Sequence, residues 1–362
     1  MEFNYTMKKH NYSAGPSILP QEVFEKASKA ILNFNDSGLS ILEISHRSKD
    51  FVAVMEEARS LALELLGLQG KGYQALFLQG GASTAFLMAP YNLMKENGKA
   101  AYLDSGTWAA AAIKEAKVFG ETITVASSKE QNYNHIPKGY EIPADADYFH
   151  CTSNNTIFGT QMNEFPATNV PVVCDMSSDI FSRVLDYSKF DLIYAGAQKN
   201  MGPAGTTLVV IKEDILEKSG RTIPSMLDYA KHIKAESMYN TPPVFAVYVS
   251  LLTLQWIKNK GGVAAVEKLN DAKAALLYAE IDRNPLFKGA SAVEDRSKMN
   301  VTFLLNNPDH TATFDAMWKE ANISGLPGHR SVGGYRASIY NAMPIESVQV
   351  LVDVMKALES KV

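Results

Sequence analysis

Residues 191–205 read DLIYAGAQKNMGPAG, and the rest of the fold can be worked out from this stretch. The apolar run 192–197 predicts a short buried strand, and the glycines and proline after Lys199 break regular structure before a second apolar run, 206–211. Lys199 is therefore expected at the end of a strand between apolar segments, although lysine normally prefers solvent. It is either an ordinary lysine whose amine reaches solvent or a desolvated amine that can form an imine with a carbonyl group.

The composition is that of a globular protein: 362 residues, of which 46% are hydrophobic and 20% charged. A net charge of −4 gives no basic excess of the kind that binds nucleic acid. No apolar segment is long enough to cross a membrane, and the N-terminus lacks a signal-peptide pattern. The cysteines, Cys151 and Cys174, are too few for a disulfide framework or a zinc site. We expect a cytoplasmic protein without a metal centre; Met7 could be an internal start, with residues 1–6 as an extension.

Apolar runs alternate with helical patterns along most of the first 260 residues. Seven of these runs are predicted strands: 73–78, 100–103, 121–125, 147–151, 171–174, 192–197 and 206–211. Because helical segments separate most of them, they predict a largely parallel sheet with helices on both faces, and the short final turn predicts one antiparallel member. We predict a large α/β domain over residues 1–260 and a smaller α+β domain over 261–362, with residues 1–20 able to pack against the small domain.

Helix boundaries follow from capping residues and from breaks in the apolar pattern. Ser48 is the predicted N-cap of a helix over 51–66. The helix after the first strand is expected to begin at Ala85, and another helix is expected over 225–235. The last strand of the small domain is expected near 337–340.

Polar residues follow several predicted strands, and ligands bind at the carboxyl ends of parallel strands. The segment 79–84, QGGAST, is either a plain turn or an anion site made of free N–H groups and hydroxyls. Asp175 is either a helix N-cap or the partner of a buried cation. Trp108 is either a core residue or an aromatic plate for a planar ring. Together with Lys199 these are the parts that hold pyridoxal phosphate, and Thr156 and Gln198 can add hydrogen bonds.

The chain resembles the fold-type I pyridoxal-phosphate enzymes and, within the class-V aminotransferases, the phosphoserine aminotransferase family. Eight stretches carry the resemblance: NYSAGP at 11–16, EISHRS at 43–48, GGAS at 80–83, WA at 108–109, VCDMSS at 173–178, YAGAQKN at 194–200, NTPP at 240–243 and GHRSVGGYRASIYN at 328–341. The last stretch is the most specific, because the family's substrate selectivity depends on it. Some members carry an arginine where this chain has Ser83, so that additional phosphate contact is not expected here.

The resemblance implies a role for each residue at the cofactor. Lys199 would be the Schiff-base lysine and the acid–base group, Asp175 would bind the pyridine nitrogen, and Trp108 would stack on the ring. Thr156 would reach the ring hydroxyl or the carboxylate region. The cofactor phosphate would be held by Ala82, Ser83 and Gln198, and by Asn240 and Thr241 of the neighbouring subunit. A site completed by the neighbour implies an obligate homodimer.

The resemblance also implies the substrates. Arg336 would bind the substrate α-carboxylate, because a bidentate arginine suits a planar carboxylate. Arg47, His329 and Arg330 would bind the phosphate of phosphoserine or the side-chain carboxylate of glutamate. The implied reaction is a ping-pong transfer of the amino group from glutamate to 3-phosphohydroxypyruvate, which yields 2-oxoglutarate and phosphoserine.

Three alternatives stay open at this point. One is another enzyme of the same fold, such as an alanine–glyoxylate-type aminotransferase or a desulfurase, although a desulfurase needs a mobile cysteine and Cys151 and Cys174 lie in predicted strands. Another is a catalytically silent binding protein on this scaffold. A nicotinamide dehydrogenase is disfavoured because its glycine fingerprint is absent.

Overall fold

The computed structural model of the protein describes residues 9–362, so Met7 and the extension 1–6 lie outside the described residues. The helices of the described chain are α1 (Gln21–Leu32), α2 (Lys49–Leu65), α3 (Gly81–Leu93), α4 (Thr107–Ala116), α5 (Tyr229–Lys234), α6 (Val244–Asn259), α7 (Val263–Arg283), α8 (Thr311–Glu320) and α9 (Ile345–Lys361). The strands are β1 (His10–Asn11), β2 (Tyr73–Leu78), β3 (Lys99–Asp104), β4 (Glu121–Ser127), β5 (Phe149–Thr152), β6 (Asn154–Asn155), β7 (Thr160–Gln161), β8 (Val172–Asp175), β9 (Leu192–Gly196), β10 (Thr207–Lys212), β11 (Phe287–Gly289), β12 (Asn300–Leu305), β13 (Ile323–Ser324) and β14 (Tyr335–Ser338). None of these helices is long and apolar enough to cross a membrane.

A seven-stranded sheet forms the centre of the molecule, in the order β2-β10-β9-β8-β5-β3-β4. These are the seven predicted strands, and β10 alone runs antiparallel to its neighbours in this sheet. The structure thus confirms the predicted mostly parallel α/β sheet. Because all strands except β10 point the same way, the segments that follow β2, β3, β5, β8 and β9 meet at one edge.

Apolar side chains alternate between the two faces of the sheet and are covered on both. Along β9, Ile193 and Ala195 pack with α2 and α6 on one face. Leu192 and Tyr194 pack with α3 and α4 on the other. Burial of each large apolar side chain contributes about 1.5–3 kcal/mol, so both faces hold the strands in register.

Several element boundaries differ from the predicted ones. The Ser48 hydroxyl caps α2 as predicted, accepting from the Phe51 N–H at 3.3 Å. α3 begins at Gly81, four residues before Ala85, because small residues give no apolar period although they fit a first helical turn. The expected helix over 225–235 is divided into a 3-10 turn at Ser225–Leu227 and the six-residue helix α5, and β14 begins at residue 335, before the expected strand.

The small domain is built on the antiparallel sheet β11-β12-β14, with α7, α8 and α9 packed against it. The N-terminal segment joins this unit: β1 pairs in parallel with β13, and Tyr12 and Ile18 belong to its apolar core. The first turn of α7 packs with the large-domain core and its later turns with the small-domain core. The boundary at residue 260 therefore stays a prediction.

Candidate active site

A cavity of about 380 Å³ opens at the carboxyl edge of the central sheet, where the small domain meets it. Nine of the predicted site residues line it: Ala82, Ser83, Trp108, Thr156, Asp175, Gln198, Lys199, His329 and Arg336. They come from segments far apart in sequence, and the parallel sheet brings most of them together. The cavity is the candidate active site.

Lys199 lies in the turn between the antiparallel strands β9 and β10. Its Nζ donates to Thr156 Oγ1 at 2.9 Å, and it makes no ion pair within residues 9–362. Burial lowers the pKa of Lys199 to about 8, with Asp175 acting in the opposite direction and Arg336 in the same one. The Ser17 hydroxyl donates to the Lys199 carbonyl oxygen at 2.5 Å and fixes the backbone of this turn. The amine is therefore accessible in its neutral, nucleophilic form near neutral pH.

Asp175 ends β8, next to Tyr194 on β9, and its side chain is buried. Its Oδ1 accepts from the Ser177 N–H at 2.9 Å. Burial raises the pKa of Asp175, while Lys199 and the bonds from Ser177 act to lower it. The nearby arginine, Arg183, pairs with Asp179 at 3.0 Å instead. Asp175 is thus a buried carboxylate without an ion-pair partner in the described chain, which suits a cationic group bound in the cavity.

The N-terminus of α3 forms one wall of the cavity. Gly80 and Gly81 have positive φ angles of 101° and 67°, and no side chain caps the helix. A Cβ on Gly80 would lie 2.0 Å from Thr84 Oγ1, so this tight turn requires glycine. The first N–H groups of α3, with the Ser83 hydroxyl beside them, are oriented for an anion such as a phosphate.

Trp108 lies in the first turn of α4 and keeps 39% of its surface exposed, an unusual fraction for a large aromatic residue that lines a cavity. The turn before it is tight, since a Cβ on Gly106 would lie 2.5 Å from Asn155 Oδ1. Its ring is therefore available to stack on a planar ligand.

Positive charge is concentrated where the small domain meets the cavity. Arg336 on β14 donates to the Thr156 carbonyl oxygen at 3.4 Å, its Nε is buried without a partner, and it pairs with no carboxylate in the described chain. His329 Nδ1 accepts from the Ser331 N–H at 3.2 Å, so the proton of the neutral ring lies on Nε2. Burial, Arg336 and Arg330 lower the pKa of His329. A free guanidinium and a neutral imidazole donor together suit an anionic substrate.

Four predicted residues do not line this chain's own cavity. Arg47 and Arg330 are exposed, and so is Thr241. Asn240 donates through Nδ2 to Gln79 Oε1 at 2.8 Å, next to the turn that precedes α3. The functional roles of these four residues stay predictions.

The cavity is also lined by residues to which the sequence assigned no role, although Ala14, Gly15, Ser177 and Ser178 lie in stretches that carry the family resemblance. They are buried or backbone-lining residues: Ala14, Gly15, Thr152, Asn154, Ile157, Ser177 and Ser178. The polar run TSNNT at 152–156, directly after a predicted strand, was the available signal for part of this set. Among residues 9–362, no group of three or more His, Cys, Asp or Glu is placed to hold a metal ion. Cys151 and Cys174 are buried free thiols outside the cavity lining.

Comparisons with known proteins agree on one family. The family model described as aminotransferase class-V matches residues 10–351. The phosphoserine aminotransferase of Flavobacterium johnsoniae is 91% identical over 356 residues, which cover 98% of this chain and all of that protein. That of Flavobacterium psychrophilum is 79% identical over the same share of each chain.

Solved structures give the same result. The phosphoserine aminotransferase of Bacillus circulans subsp. alkalophilus superposes with a TM-score of 0.95 at 44% identity, covering 98% of this chain and 99% of that one. A phosphoserine aminotransferase from Trichomonas vaginalis, solved with pyridoxal phosphate bound, superposes with a TM-score of 0.91 at 37% identity, covering 96% of this chain and all of that one.

Proposed function

The chain belongs to the class-V aminotransferases, and from that premise we propose that it transfers the amino group of glutamate to 3-phosphohydroxypyruvate, forming phosphoserine and 2-oxoglutarate. One observation carries the proposal. A single cavity combines a reactive amine, Lys199, and an unpaired carboxylate, Asp175, with an unpaired guanidinium, Arg336, on its small-domain side. The alanine–glyoxylate alternative has less support, because the relatives of 91% and 79% identity are phosphoserine aminotransferases.

Pyridoxal phosphate fits the residues present. Its phosphate would lie at the N-terminus of α3, held by Ala82, Ser83 and Gln198. Asp175 would accept a hydrogen bond from the protonated ring nitrogen, and Trp108 would stack on the ring. Once a substrate amine has displaced Lys199 from it, the cofactor would supply an electron-withdrawing ring that lets the substrate α-carbon lose a proton, and Lys199 would be free to act as the base.

The protein's own groups perform the proton transfers. Lys199 Nζ, held by Thr156 Oγ1, would take the proton from the substrate α-carbon and deliver it to the cofactor. A pKa of about 8 lets this amine accept and release a proton near neutral pH. Asp175 stays ionised because its charge interacts favourably with the bound cation, which compensates for its burial.

The proposed substrate contacts form two groups, one for the α-carboxylate and one for the phosphate or side-chain carboxylate. Arg336 would bind the α-carboxylate that all substrates share, because no carboxylate of residues 9–362 pairs with its guanidinium. His329 and Arg330, with Arg47, would bind the phosphate of phosphoserine or the side-chain carboxylate of glutamate. Because both amino acids would use one cavity in turn, the expected kinetics are ping-pong.

A homodimer in the cytoplasm is part of the same proposal. Asn240 and Thr241 would complete the phosphate site of the neighbouring subunit. The exposed apolar residues Leu32, Leu39 and Leu42, which are 83%, 49% and 61% exposed, support a subunit contact near α1.

Absorbance spectroscopy of the purified protein tests the proposal. Bound cofactor should give a visible absorbance band that phosphoserine and glutamate each abolish, whereas alanine leaves it unchanged. Retention of the band with phosphoserine would refute the substrate assignment, and a colourless protein that binds no added pyridoxal phosphate would refute the enzyme class.

A further inference from the structure

A loop of the small domain, residues 328–334, is closed by its own backbone and lies between β13 and β14. The Gly328 N–H donates to the Gly334 carbonyl oxygen at 2.8 Å, which closes the base of the loop. Near its tip, the Val332 N–H donates to the His329 carbonyl oxygen at 2.9 Å. Because these bonds join loop residues to one another, they fix the shape of the loop but not the place of its tip beside the cavity.

The tip of the loop reaches the large domain through Val332. This side chain is half-buried and packs against a separate apolar cluster of three buried residues, Tyr133, Ile157 and Phe158, which we call the Tyr133 cluster. Ile157 also lines the cavity, next in sequence to Thr156. The contact of Val332 with the Tyr133 cluster therefore holds the loop tip beside the cavity.

The Tyr133 cluster is fixed by hydrogen bonds from both domains. The Tyr133 hydroxyl donates to the carboxylate of Asp104, at the end of β3, with an O–O distance of 3.1 Å. The rings of Tyr133 and Phe158 pack with their centroids 4.9 Å apart. The Phe158 carbonyl oxygen accepts from Thr302 Oγ1 on β12 at 2.9 Å. An apolar side chain packed against this cluster is therefore held in a defined place.

We propose that Val332 is a positioning residue, which holds the loop 328–334 against the Tyr133 cluster so that His329 and Arg330 meet the phosphate of the substrate. His329 lines the cavity, and Arg330 comes between it and Val332 in the chain. When the Val332 contact is lost, the loop tip is free to move, and the substrate phosphate must order the loop as it binds. The proposal rests on the phosphate-binding role that the proposed function gives to His329 and Arg330.

Substrate kinetics give the first test. In Val332→Ala, the KM for 3-phosphohydroxypyruvate at saturating glutamate should rise about threefold to tenfold, because the phosphate must order a loop that the wild type holds in place. The KM for an unphosphorylated 2-oxo acid should stay within about twofold of the wild type. The kcat should also stay within about twofold, since the substitution leaves the bond from Lys199 to Thr156 intact. Val332→Ile, which keeps an apolar side chain, should restore the KM of the wild type.

Limited proteolysis tests the contact without any substrate. Arg330 is exposed, so trypsin can cleave after it once the loop tip leaves the Tyr133 cluster. Val332→Ala should be cleaved after Arg330 at least about fivefold faster than the wild type, as followed by mass spectrometry. Lys71 lies in an exposed turn before β2, and cleavage after it should keep the rate of the wild type. This second site separates release of the loop from general unfolding.

Val293→Ala is the matched control. Val293 also belongs to the small domain, but 70% of its surface is exposed, so its loss removes little packing. Both KM values and the cleavage rate after Arg330 should match the wild type in this variant.

Each outcome decides one question. An unchanged cleavage rate after Arg330 in Val332→Ala overturns the anchoring of the loop. Faster cleavage with an unchanged KM for 3-phosphohydroxypyruvate, or with equal increases for both 2-oxo acids, overturns the role in phosphate binding. Should Val332→Ala fail to fold, Val332→Thr keeps the shape of the side chain but not its apolar surface, and it must show the same changes. A wild-type protein that does not use 3-phosphohydroxypyruvate refutes the proposed function, and the cleavage rates then still decide whether Val332 holds the loop.

Discussion

Two buried lysines show how the surroundings of a residue decide what it does. Burial lowers the pKa of Lys199 to about 8 and that of Lys273 to about 7, and neither makes an ion pair within residues 9–362. Lys273 Nζ donates to the carbonyl oxygens of Ile339 and Tyr340 at 3.0 and 2.7 Å and faces no cavity lining. Its hydrogen bonds therefore join α7 to the residues that follow β14. Lys199 instead lines the cavity, where a carbonyl group can reach its amine.

The stability contribution of Lys273 should depend on pH. Its pKa of about 7 in the folded protein lies below the value of 10.5 for a free lysine, so the unfolded chain binds more protons between these values. The free energy of unfolding due to this group therefore rises with pH from about 7 to 10.5 and is lowest below pH 7. Lys273→Met removes this dependence. In urea unfolding, the free energy of unfolding of the variant minus that of the wild type should therefore become more negative between pH 7 and pH 9.5.

The control for this measurement is Lys258→Met, since Lys258 is exposed and pairs with Glu64 at 2.7 Å. Its stability difference from the wild type should change little over the same pH range. A constant difference for Lys273→Met would mean that Lys273 titrates like a lysine in water.

Arg330 should discriminate between substrates. Arg330→Ala removes a cation that we assign to the substrate phosphate, so kcat/KM for 3-phosphohydroxypyruvate should fall by about 10- to 100-fold. An unphosphorylated 2-oxo acid should lose less than about threefold. Lys288→Ala, an exposed cation on β11 of the small domain, should behave as the wild type. Equal losses with both substrates would rule out a phosphate contact.

At the residue scale, the sequence predicted the groups that carry a motif and missed those that act through packing. Lys199 and Asp175 were identified because a charged residue at the end of an apolar run is uncommon. Asn300 gave no such signal, since an asparagine in a strand is ordinary until its partner is known. Asn240 lies outside its own chain's cavity, so only an assembly of two subunits can test its role.

At the element scale, the turn before α3 sets the backbone of the proposed anion site. Gly80→Ala would place a methyl group against Thr84 in addition to straining a positive φ angle. We expect a loss of at least about 2 kcal/mol in stability and about tenfold weaker affinity for pyridoxal phosphate. Urea unfolding of the apoprotein and cofactor titration measure the two effects.

Gly67 provides the comparison, because its φ is also positive, at +65°, but nothing lies within 4 Å of a Cβ there. Gly67→Ala should lose only about 1 kcal/mol and bind the cofactor normally. Equal losses in both variants would show that backbone strain alone, and not the contact with Thr84, fixes this turn.

Element length explains which parts of the fold could be predicted. The seven strands of the central sheet have four to seven residues each, long enough to show in the sequence, and all except the edge strand β4 are largely buried. β1 and β13 have two residues each and exist only because they pair with each other across more than 300 positions. Such pairs leave no local pattern, so the sequence could assign residues 1–20 to the small domain but could not say which of them pair with it.

At the scale of the whole molecule, the dimer can be tested by mixing inactive variants. A heterodimer of Lys199→Ala with the double variant Asn240→Ala and Thr241→Ala contains one intact site, provided that Asn240 and Thr241 serve the neighbouring subunit. Refolding the two together should then restore about a quarter of wild-type activity. If these residues serve their own chain, no heterodimer site is intact and the mixture should be no more active than its components.

The N-terminal segment has a consequence for the order in which the protein is made. The Tyr12 N–H donates to the Ser324 carbonyl oxygen, and Ser17 donates to the backbone at Lys199, so residues 10–17 join the two domains. During synthesis this segment leaves the ribosome more than 300 residues before its strand partner, β13. The large domain can therefore fold while the ribosome is still translating, but the pocket around Lys199 closes only after β13 has emerged.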